Sequence, residues 1–245
     1  MIECLYEPFK QWAEKGSLYI ISDTHFDDSD CKLMDKDWIG PQEQVDIINK
    51  YANKNDTLII LGDVGNIDWV RKLKAGHKVL IMGNHDSGAT NYKRKIVDSA
   101  VITCLAEFDE NIKRKMTDCF HEKYPFHSIV YLTEPHRVGG GKQCLAWCSS
   151  NNNLFDEVYE GPLVISEKII LSHEPIDLPY MVNIHGHDHA GKFRDGKNLN
   201  VAANVCGYTP INLKDEIKNG LISKIPTIHR VTIDNATKNP LHKKR

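Results

Sequence analysis

The sequence predicts an α/β fold, and three observations lead to that prediction. Short apolar runs rich in Ile, Val and Leu recur along the chain, each bounded by glycine or polar residues, as is typical of buried strands. A run with helical spacing separates the first two of them, which is the order of a βαβ unit. At 245 residues the chain is long enough to bury one substantial core.

Five apolar runs give the predicted strands, and two stretches between them give helices. The strands cover residues 18–21, 58–61, 79–82, 169–171 and 181–184. A helix is predicted over residues 41–54, because Pro41 opens it and apolar residues follow at i, i+3 and i+4 spacing. A shorter helix is predicted over residues 67–75, with Gly76 just past its end.

The remaining segments have weaker patterns. Between residues 90 and 167 we expect helices over 93–99 and 109–121 and a loop at the three glycines 139–141. Farther along, strands are predicted over 198–206 and 227–233, with a short helix over 215–219 between them. These elements predict one domain over residues 1–235, followed by a basic, disordered tail over 236–245.

Composition and charge exclude several classes of protein. The net charge of −2 and the pI near 6.6 give no support to nucleic-acid binding, which usually needs a concentrated basic face. No apolar stretch is long enough to cross a bilayer, and residues 1–17 lack the apolar core of a signal peptide. Seven scattered cysteines fit reduced thiols. We therefore expect a cytoplasmic protein without a membrane partner, and the sequence does not indicate its oligomeric state.

Five polar motifs follow the five predicted strands. They are Asp23-Thr24-His25, Gly62-Asp63, Gly83-Asn84-His85-Asp86, Ser172-His173-Glu174-Pro175 and Gly186-His187-Asp188-His189. Because ligand sites in open α/β sheets form at the carboxyl ends of strands, we expect these motifs to converge. Carboxylate, imidazole and amide groups together suit Mn, Fe, Zn and similar divalent ions. The sequence therefore predicts a metal site.

Each motif has a simpler interpretation when it is taken alone. Asp23 and Asp63 stand where an aspartate often caps a helix. His173 could be a partly buried loop histidine, and the pair His187 and His189 suits a surface turn as well as a metal. Five such coincidences in one order argue against these interpretations taken together.

The order of the motifs resembles that of the calcineurin-like metallophosphoesterases, over about residues 18–191. The spacing is most similar to that of small bacterial or phage phosphoesterases. This resemblance implies a four-layer fold in which two mixed β-sheets pack as a sandwich flanked by helices. It also implies an enzyme that hydrolyses a small phosphate ester with two divalent ions, Mn²⁺ being expected first and Fe, Ni or Zn as alternatives.

The resemblance also implies a role for each motif residue. Asp63 would bridge the two ions. The other implied ligands are Asp23, His25 and His189 for the first ion and Asn84, His173 and His187 for the second. The implied nucleophile is a metal-bound hydroxide, because divalent ions lower the pKa of bound water.

His85 and Asp86 are predicted to be catalytic residues that bind no metal. By the resemblance, His85 would protonate the leaving oxygen or stabilise phosphoryl charge, and Asp86 would orient it. His185 has the same spacing to His187 as His187 has to His189. The family pattern takes the two histidines after Gly186 as ligands, so we expect His185 to support a ligand through a hydrogen bond.

One departure from the family pattern bears on the substrate. Phosphoprotein phosphatases of this superfamily have an Asp-Arg-Gly sequence shortly after Gly-Asp, whereas here the first arginine after Asp63 is Arg71. A dianionic monoester therefore lacks its expected partner, which favours a phosphodiesterase. The alternatives are a nuclease or phosphomonoesterase of the same superfamily, or a non-catalytic scaffold that binds proteins.

Overall fold

The computed structural model describes residues 2–86 and 154–226, a C-terminal helix, four strands between residues 127 and 150, and four helical residues, namely Asn111, Arg114, Lys115 and Asp118. The chain forms two compact units. One comprises Met1–Lys93 and Leu154–Arg245, and the other comprises Arg94–Asn153. Among the described residues, no helix is long and apolar enough to cross a membrane.

The first unit carries the following elements in chain order: α1 (Glu7–Lys10), a 3₁₀ turn (Gln11–Ala13), β1 (Leu18–Ile21), α2 (Cys31–Met34), α3 (Pro41–Tyr51), β2 (Thr57–Ile60), a 3₁₀ helix (Ile67–Lys72) and β3 (His77–Ile81). In the second unit lie β4 (His127–Tyr131), β5 (His136–Val138), β6 (Gly141–Gln143) and β7 (Ala146–Ser150). The first unit then resumes with β8 (Glu157–Tyr159), β9 (Leu163–Ser166), β10 (Ile169–Leu171), β11 (Val182–His185), β12 (Arg194–Asp195), β13 (Asn198–Asn200), β14 (Ile211–Asn212), α4 (Leu213–Lys218) and α5 (Ile228–Lys238).

Two mixed five-stranded sheets form the first unit. The first sheet has the order β14-β1-β2-β3-β8, in which β1, β2, β3 and β8 run parallel and β14 is antiparallel. The second has the order β12-β13-β11-β10-β9, with β13, β11 and β10 parallel. Parallel neighbours end at the same edge of a sheet, so the segments that follow β1, β2 and β3 start side by side, as do those after β10 and β11.

One buried cluster joins the two sheets. Side chains from alternate positions of the first sheet, such as Ile20, Ile59 and Val79, share it with Ile169 and Val182 of the second. A strand turns successive side chains to opposite faces, so the alternate residues Leu58, Ile60 and Leu80 form a second cluster with Val45 and Ile48 of α3. Both faces of the first sheet are therefore covered, which explains its almost uninterrupted apolar strands. The predicted α/β fold with two mixed sheets is confirmed.

In the second unit the described strands form two antiparallel pairs, β4 with β7 and β5 with β6. Gly141 belongs to β6, where it pairs with Val138, so it is not part of the loop expected at residues 139–141. The other two glycines and the helix predicted over 93–99 lie outside the described residues. Within the helix predicted over 109–121, the four described residues are helical.

Three predicted elements differ from the structure. The helix expected over 67–75 is a 3₁₀ helix that ends at Lys72, and Gly76 instead packs where a Cβ would lie 2.0 Å from the carbonyl oxygen of Lys54. The strand expected over 198–206 stops at Asn200, because the chain then leaves the second sheet to pair with Ser22 at a single bridge with Ala202.

The strand expected over 227–233 is wrong, since Ile228–Lys238 is a helix. Its β-branched residues are typical of a strand, but Ile228 and Val231 also have helical spacing, and tertiary context overrides such weak propensities. The helix also enters the segment predicted as a tail, and residues 239–245 lie outside the described part of the chain. The single domain over residues 1–235 stays a prediction.

Candidate metal centre

The five motifs begin within three residues of the ends of β1, β2, β3, β10 and β11. Backbone hydrogen bonds tie the first two motifs together: the Asp23 amide donates to the carbonyl oxygen of Gly62 at 3.0 Å, and the His25 amide donates to that of Asp63 at 2.9 Å. The amide of Gly186 donates to the carbonyl oxygen of His173 at 2.9 Å, which joins the last two motifs in the same way. The parallel ends of neighbouring strands thus bring the motifs to one edge.

Four of the motif residues other than glycine have a left-handed backbone conformation. The φ angles are 54° at Asp23, 38° at His25, 50° at Asp63 and 67° at His187. The left-handed backbone conformation costs a residue with a Cβ roughly 1–3 kcal/mol of free energy. It persists where the surrounding structure imposes it, often at functional sites. Here it turns four donor side chains toward a common volume.

Asp23, His25 and His189 form one set of side chains, which we name the Asp23 group. Oδ1 of Asp23 lies 3.9 Å from Nε2 of His25 and 3.6 Å from Nε2 of His189. These distances are too long for hydrogen bonds. Two ligands that each lie about 2.1 Å from one ion are about 3–4 Å apart, so the spacing fits a cation between them.

The second set, the His173 group, consists of Asn84, His173 and His187. Nε2 of His173 lies 2.8 Å from Oδ1 of Asn84 and 3.1 Å from Nδ1 of His187. His173 is buried, whereas Asn84 and His187 are exposed. This group therefore borders solvent, and the Asp23 group lies deeper.

Asp63 adjoins both groups through one atom. Its Oδ2 lies 3.3 Å from Nε2 of His173 and 3.7 Å from Nε2 of His25. Its Oδ1 accepts a hydrogen bond from the backbone N–H of His85 at 3.0 Å. A carboxylate fixed in this way presents Oδ2 to the space between the two groups.

Three of the histidines are held through Nδ1 by an oxygen on the outer side. Nδ1 of His25 lies 3.0 Å from Oδ2 of Asp28, Nδ1 of His189 lies 3.1 Å from Oδ1 of Asn204, and Nδ1 of His173 lies 2.8 Å from the carbonyl oxygen of Leu61. This leaves each Nε2 facing inward. Metal-binding histidines commonly have their second nitrogen held in this way.

Sequence reasoning missed these outer partners. Asp28 follows His25 by three residues, which is a usable signal, since a carboxylate that close can reach the same ring. Asn204 lies in a segment that was predicted as a strand, and the carbonyl of Leu61 has no sequence signature at all. Both reach the histidine that they contact only through the folding of the chain.

Two buried atoms of the Asp23 group have no hydrogen-bond partner in the described part of the chain, namely Oδ1 of Asp23 and Nε2 of His25. Leaving a buried polar atom unpaired costs about 1–3 kcal/mol, more for a charged group. Both atoms face the volume bounded by His189 and Asp63. A divalent cation would satisfy both, so the residues fit such an ion.

The charges of the site shift several pKa values. Burial raises the pKa of Asp23, although His173 and the hydroxyl of Ser22 oppose the shift. Burial acts on Asp63 in the same direction, but a hydrogen bond and the charge of His173 outweigh it and lower the Asp63 pKa. For His173, burial alone would lower the pKa, yet Asp63 and Asp23 raise it to about 9. Asp23, Asp63 and His173 are therefore electrostatically coupled.

His85 and Asp86 lie beside the two groups. His85 is exposed, and its ring centroid lies 5.8 Å from that of His25. The carboxylate of Asp86 accepts hydrogen bonds from the backbone N–H groups of Gly83 at 2.8 Å, Asp63 at 3.0 Å and Val64 at 3.1 Å. Asp86 thus joins the loops after β2 and β3, and the idea that it also orients His85 stays a prediction.

The alternative roles considered for the motif aspartates find no support. Oδ2 of Asp23 accepts from the backbone N–H of His187 at 2.8 Å, and Oδ1 of Asp63 accepts from that of His85, so both link separate motifs and cap no helix. His185 is buried, and its Nδ1 lies 2.8 Å from the carbonyl oxygen of Gly186, directly before His187. It therefore contacts the backbone of the motif.

A groove of about 270 Å³ opens beside Asn84 and His173. Its walls come from the end of β3, the turn between β8 and β9, and the end of β10. The lining includes Met82, Pro162 and Ile176 together with Glu160 and Glu174. Neither glutamate has an ion-pair partner among the described residues, so the groove combines two unpaired carboxylates and an apolar wall with the imidazole of His173.

These observations define a class: an α/β sandwich with a candidate centre for divalent metal at the ends of its strands. The profile of the calcineurin-like phosphoesterases matches residues 16–207, and the chain belongs to that family. Members of the family are phosphate-ester hydrolases that bind divalent metals. Among the residues that the structure describes, three groups have the composition and spacing of metal sites, two of them being the Asp23 group and Asp63 with His173 and His187.

One solved structure is similar to this chain. The crystal structure of the protein of unknown function AQ665 from Aquifex aeolicus is similar at 20% sequence identity, covering 83% of this chain and 98% of that one, with a TM-score of 0.47. No curated protein matches the chain.

Proposed function

We propose that this protein is a phosphodiesterase that uses two divalent metal ions, with Mn²⁺ as the expected metal and a small phosphate diester as the substrate. The observation that carries the proposal is the position of Asp63. One oxygen atom of this residue borders both the Asp23 group and the His173 group. A carboxylate with this placement is suited to bridge two ions.

When bound, two such ions stabilise the charge that develops on the phosphoryl oxygens and lower the pKa of a bound water. The chain supplies the ligands, in our proposal Asp23, His25 and His189 for one ion and the His173 group for the other. Asn84 adds a neutral oxygen, which limits the negative charge of the site. The outer partners Asp28, Asn204 and Leu61 hold the imidazoles in place, so little reorganisation is needed when the ions bind.

His85 is proposed as the residue that protonates the leaving oxygen. It is exposed beside the deep ring of His25, and its backbone is fixed by the carboxylate of Asp63. The ring can therefore reach a substrate while its main chain stays in register with the metal ligands. A positioned general acid of this kind contributes about 10²–10⁴-fold in rate.

The preference for diesters follows from the charges of the described residues near the site. Arg71, the first arginine after Asp63, forms an ion pair with Asp68 at 3.2 Å within the 3₁₀ helix. The groove beside Asn84 is lined by Glu160 and Glu174 and by no lysine or arginine, and its one imidazole, His173, is a proposed metal ligand. A monoester dianion or a long polyanion is repelled more strongly by this charge than a diester with one negative charge.

Turnover of bis-p-nitrophenyl phosphate and of p-nitrophenyl phosphate tests the proposal. Metal-free protein should be inactive on both, and added Mn²⁺, Ni²⁺ or Zn²⁺ should restore activity with the diester preferred. Elemental analysis should give two ions per chain after reconstitution. A protein that binds less than one ion per chain, or that prefers the monoester with every metal, contradicts it.

A further inference from the structure

Asp28 contacts His25 on the side of the ring that faces away from the metal centre. Its Oδ2 lies 3.0 Å from Nδ1 of His25, and its side chain is 29% exposed. We propose that Asp28 is a positioning residue that fixes the tautomer of His25 and so sets the affinity of the ion held by the Asp23 group. This inference rests on the proposed function.

The argument starts from the two nitrogens of the His25 ring. A neutral imidazole carries its proton on one nitrogen and a lone pair on the other, and only the lone pair binds a metal. An adjacent carboxylate keeps the proton on Nδ1, so Nε2 carries the lone pair. Nε2 is the buried atom without a hydrogen-bond partner among the described residues, and it faces Asp23 and Asp63.

The carboxylate of Asp28 is itself held in place by a short turn. Its Oδ1 accepts a hydrogen bond from the backbone N–H of Asp30 at 2.9 Å, and its own amide donates to the carbonyl oxygen of His25 at 3.1 Å. With one oxygen fixed by the turn, the other remains directed at the ring. The contact with His25 therefore costs little side-chain entropy when it forms.

Asp28 differs from the outer partners of the other histidines in its charge. Asn204 and the carbonyl of Leu61 are neutral oxygens, whereas Asp28 is a carboxylate. A charged acceptor pulls more strongly on the Nδ1 proton and makes Nε2 a better electron donor to a cation. Loss of Asp28 should therefore act on one ion and leave the other unchanged.

Cys31 offers a competing explanation, because ligand atoms of His25, Asp28 and Cys31 also lie within 4.8 Å of one another. These three could form a separate metal site in which Asp28 is a ligand. The contacts favour Asp28 as a positioning residue. Sγ of Cys31 donates to the carbonyl oxygen of His25 at 3.4 Å, so the thiol hydrogen-bonds the backbone. The change Cys31→Ser tests this directly.

The experiment compares the full-length protein with Asp28→Ala, Asp28→Asn and Asp30→Asn. Asp30→Asn is the matched control, since it removes one charge two positions away at an exposed residue. Titration of metal-free protein with Mn²⁺ measures the affinity of each ion. In the absence of metal, ¹⁵N NMR of the imidazole rings reports the tautomer of His25 independently of activity.

We expect Asp28→Ala to lower the binding affinity for one of the two ions about 10–100-fold and to leave His25 as a mixture of its two tautomers. Asp28→Asn keeps an acceptor oxygen and should recover part of the affinity, and the control should match the wild type. Equal affinities in wild type and Asp28→Ala, with an unchanged tautomer, would overturn the inference alone. Loss of an ion in Cys31→Ser would also overturn the inference. A wild-type protein that binds no metal would overturn both the inference and the proposed function.

Discussion

The Oδ2 atom of Asp63 lies 3.3 Å from Nε2 of His173, although the two residues belong to different sheets. Asp63 follows β2 of the first sheet and His173 follows β10 of the second. The contact therefore joins the edges of the sandwich, and the same oxygen also borders His25.

The change Asp63→Ala should remove both ions, because it takes away the one oxygen that adjoins both groups. Turnover of the diester should fall to the background rate. Asp188→Ala is the matched control, since Asp188 is an exposed aspartate inside the last motif and belongs to neither group. Elemental analysis and activity measure the result, and an Asp63→Ala protein that keeps two tightly bound ions would show that Asp63 is not a bridge.

His85→Ala should keep both ions and the fold while slowing catalysis about 10²–10⁴-fold on a diester with an alkyl leaving group. A nitrophenyl diester should lose much less, because its leaving oxygen carries negative charge without protonation. The measurement is the ratio of wild-type to variant turnover for the two esters. Equal losses would assign His85 to charge stabilisation, and loss of a metal would make it a ligand.

Gly186→Ala should disturb the Asp23 group although it replaces none of the residues in that group. A Cβ at this position would lie 2.0 Å from Oδ2 of Asp23 and from the hydroxyl of Ser22, so the carboxylate must move. We expect weaker metal binding and a loss of about 1–3 kcal/mol of stability. Gly40→Ala is the control, because a Cβ there meets nothing within 4 Å. Equal metal affinity in both variants would show that the close approach at Gly186 is unimportant.

Reversal of charge in the groove should change substrate preference. Glu174 is exposed, and Glu174→Lys would place a cation beside Asn84 and His173. We expect the KM for a diester that carries a second phosphate to fall several-fold relative to that for a diester with a single negative charge, because the like-charge repulsion is removed. Kinetics at low and high salt measure the effect. If KM for both substrates is the same as in the wild type, the groove does not bind the substrate.

Acid stability should depend on Glu157, far from the metal centre. Its carboxylate accepts hydrogen bonds from Trp12 Nε1 at 2.9 Å and from the Tyr159 hydroxyl at 2.6 Å, and Nε2 of His77 lies 2.8 Å away. Burial alone would raise the pKa of Glu157, but these partners outweigh it and lower the pKa below the ordinary 4.5. The stabilisation that the Glu157 carboxylate gives to the folded protein is therefore present above pH 4.5. It is lost as the pH falls through the lower folded-state pKa.

Glu157→Gln should lower the free energy of unfolding by about 1–3 kcal/mol at pH 7, and this difference should shrink as the pH falls below 4. Denaturant unfolding at several pH values measures it. Glu160→Gln is the control, since Glu160 is exposed and has no ion-pair partner among the described residues. A difference that stays constant down to pH 3 would contradict the role of the charge.

The sequence by itself determined the five motifs of this protein and the five strands that precede them. Runs such as those of β1, β2 and β10 are short, apolar and β-branched because they are buried on both faces, and that pattern is local and readable. The motif order was specific enough to indicate the family, which the profile match over residues 16–207 confirms.

The tertiary structure decided how the motifs meet and what supports them. The positions of Asn204 and of the Leu61 carbonyl beside two histidines depend on where the chain leaves one sheet and approaches the other, which no local pattern encodes. The helix Ile228–Lys238 was missed for a different reason: its β-branched residues favour a strand, and such local propensities are too weak to fix the secondary structure of a segment. Side chains from opposite ends of the sequence share a site because parallel strands end at the same edge, and that is a property of the folded sheets.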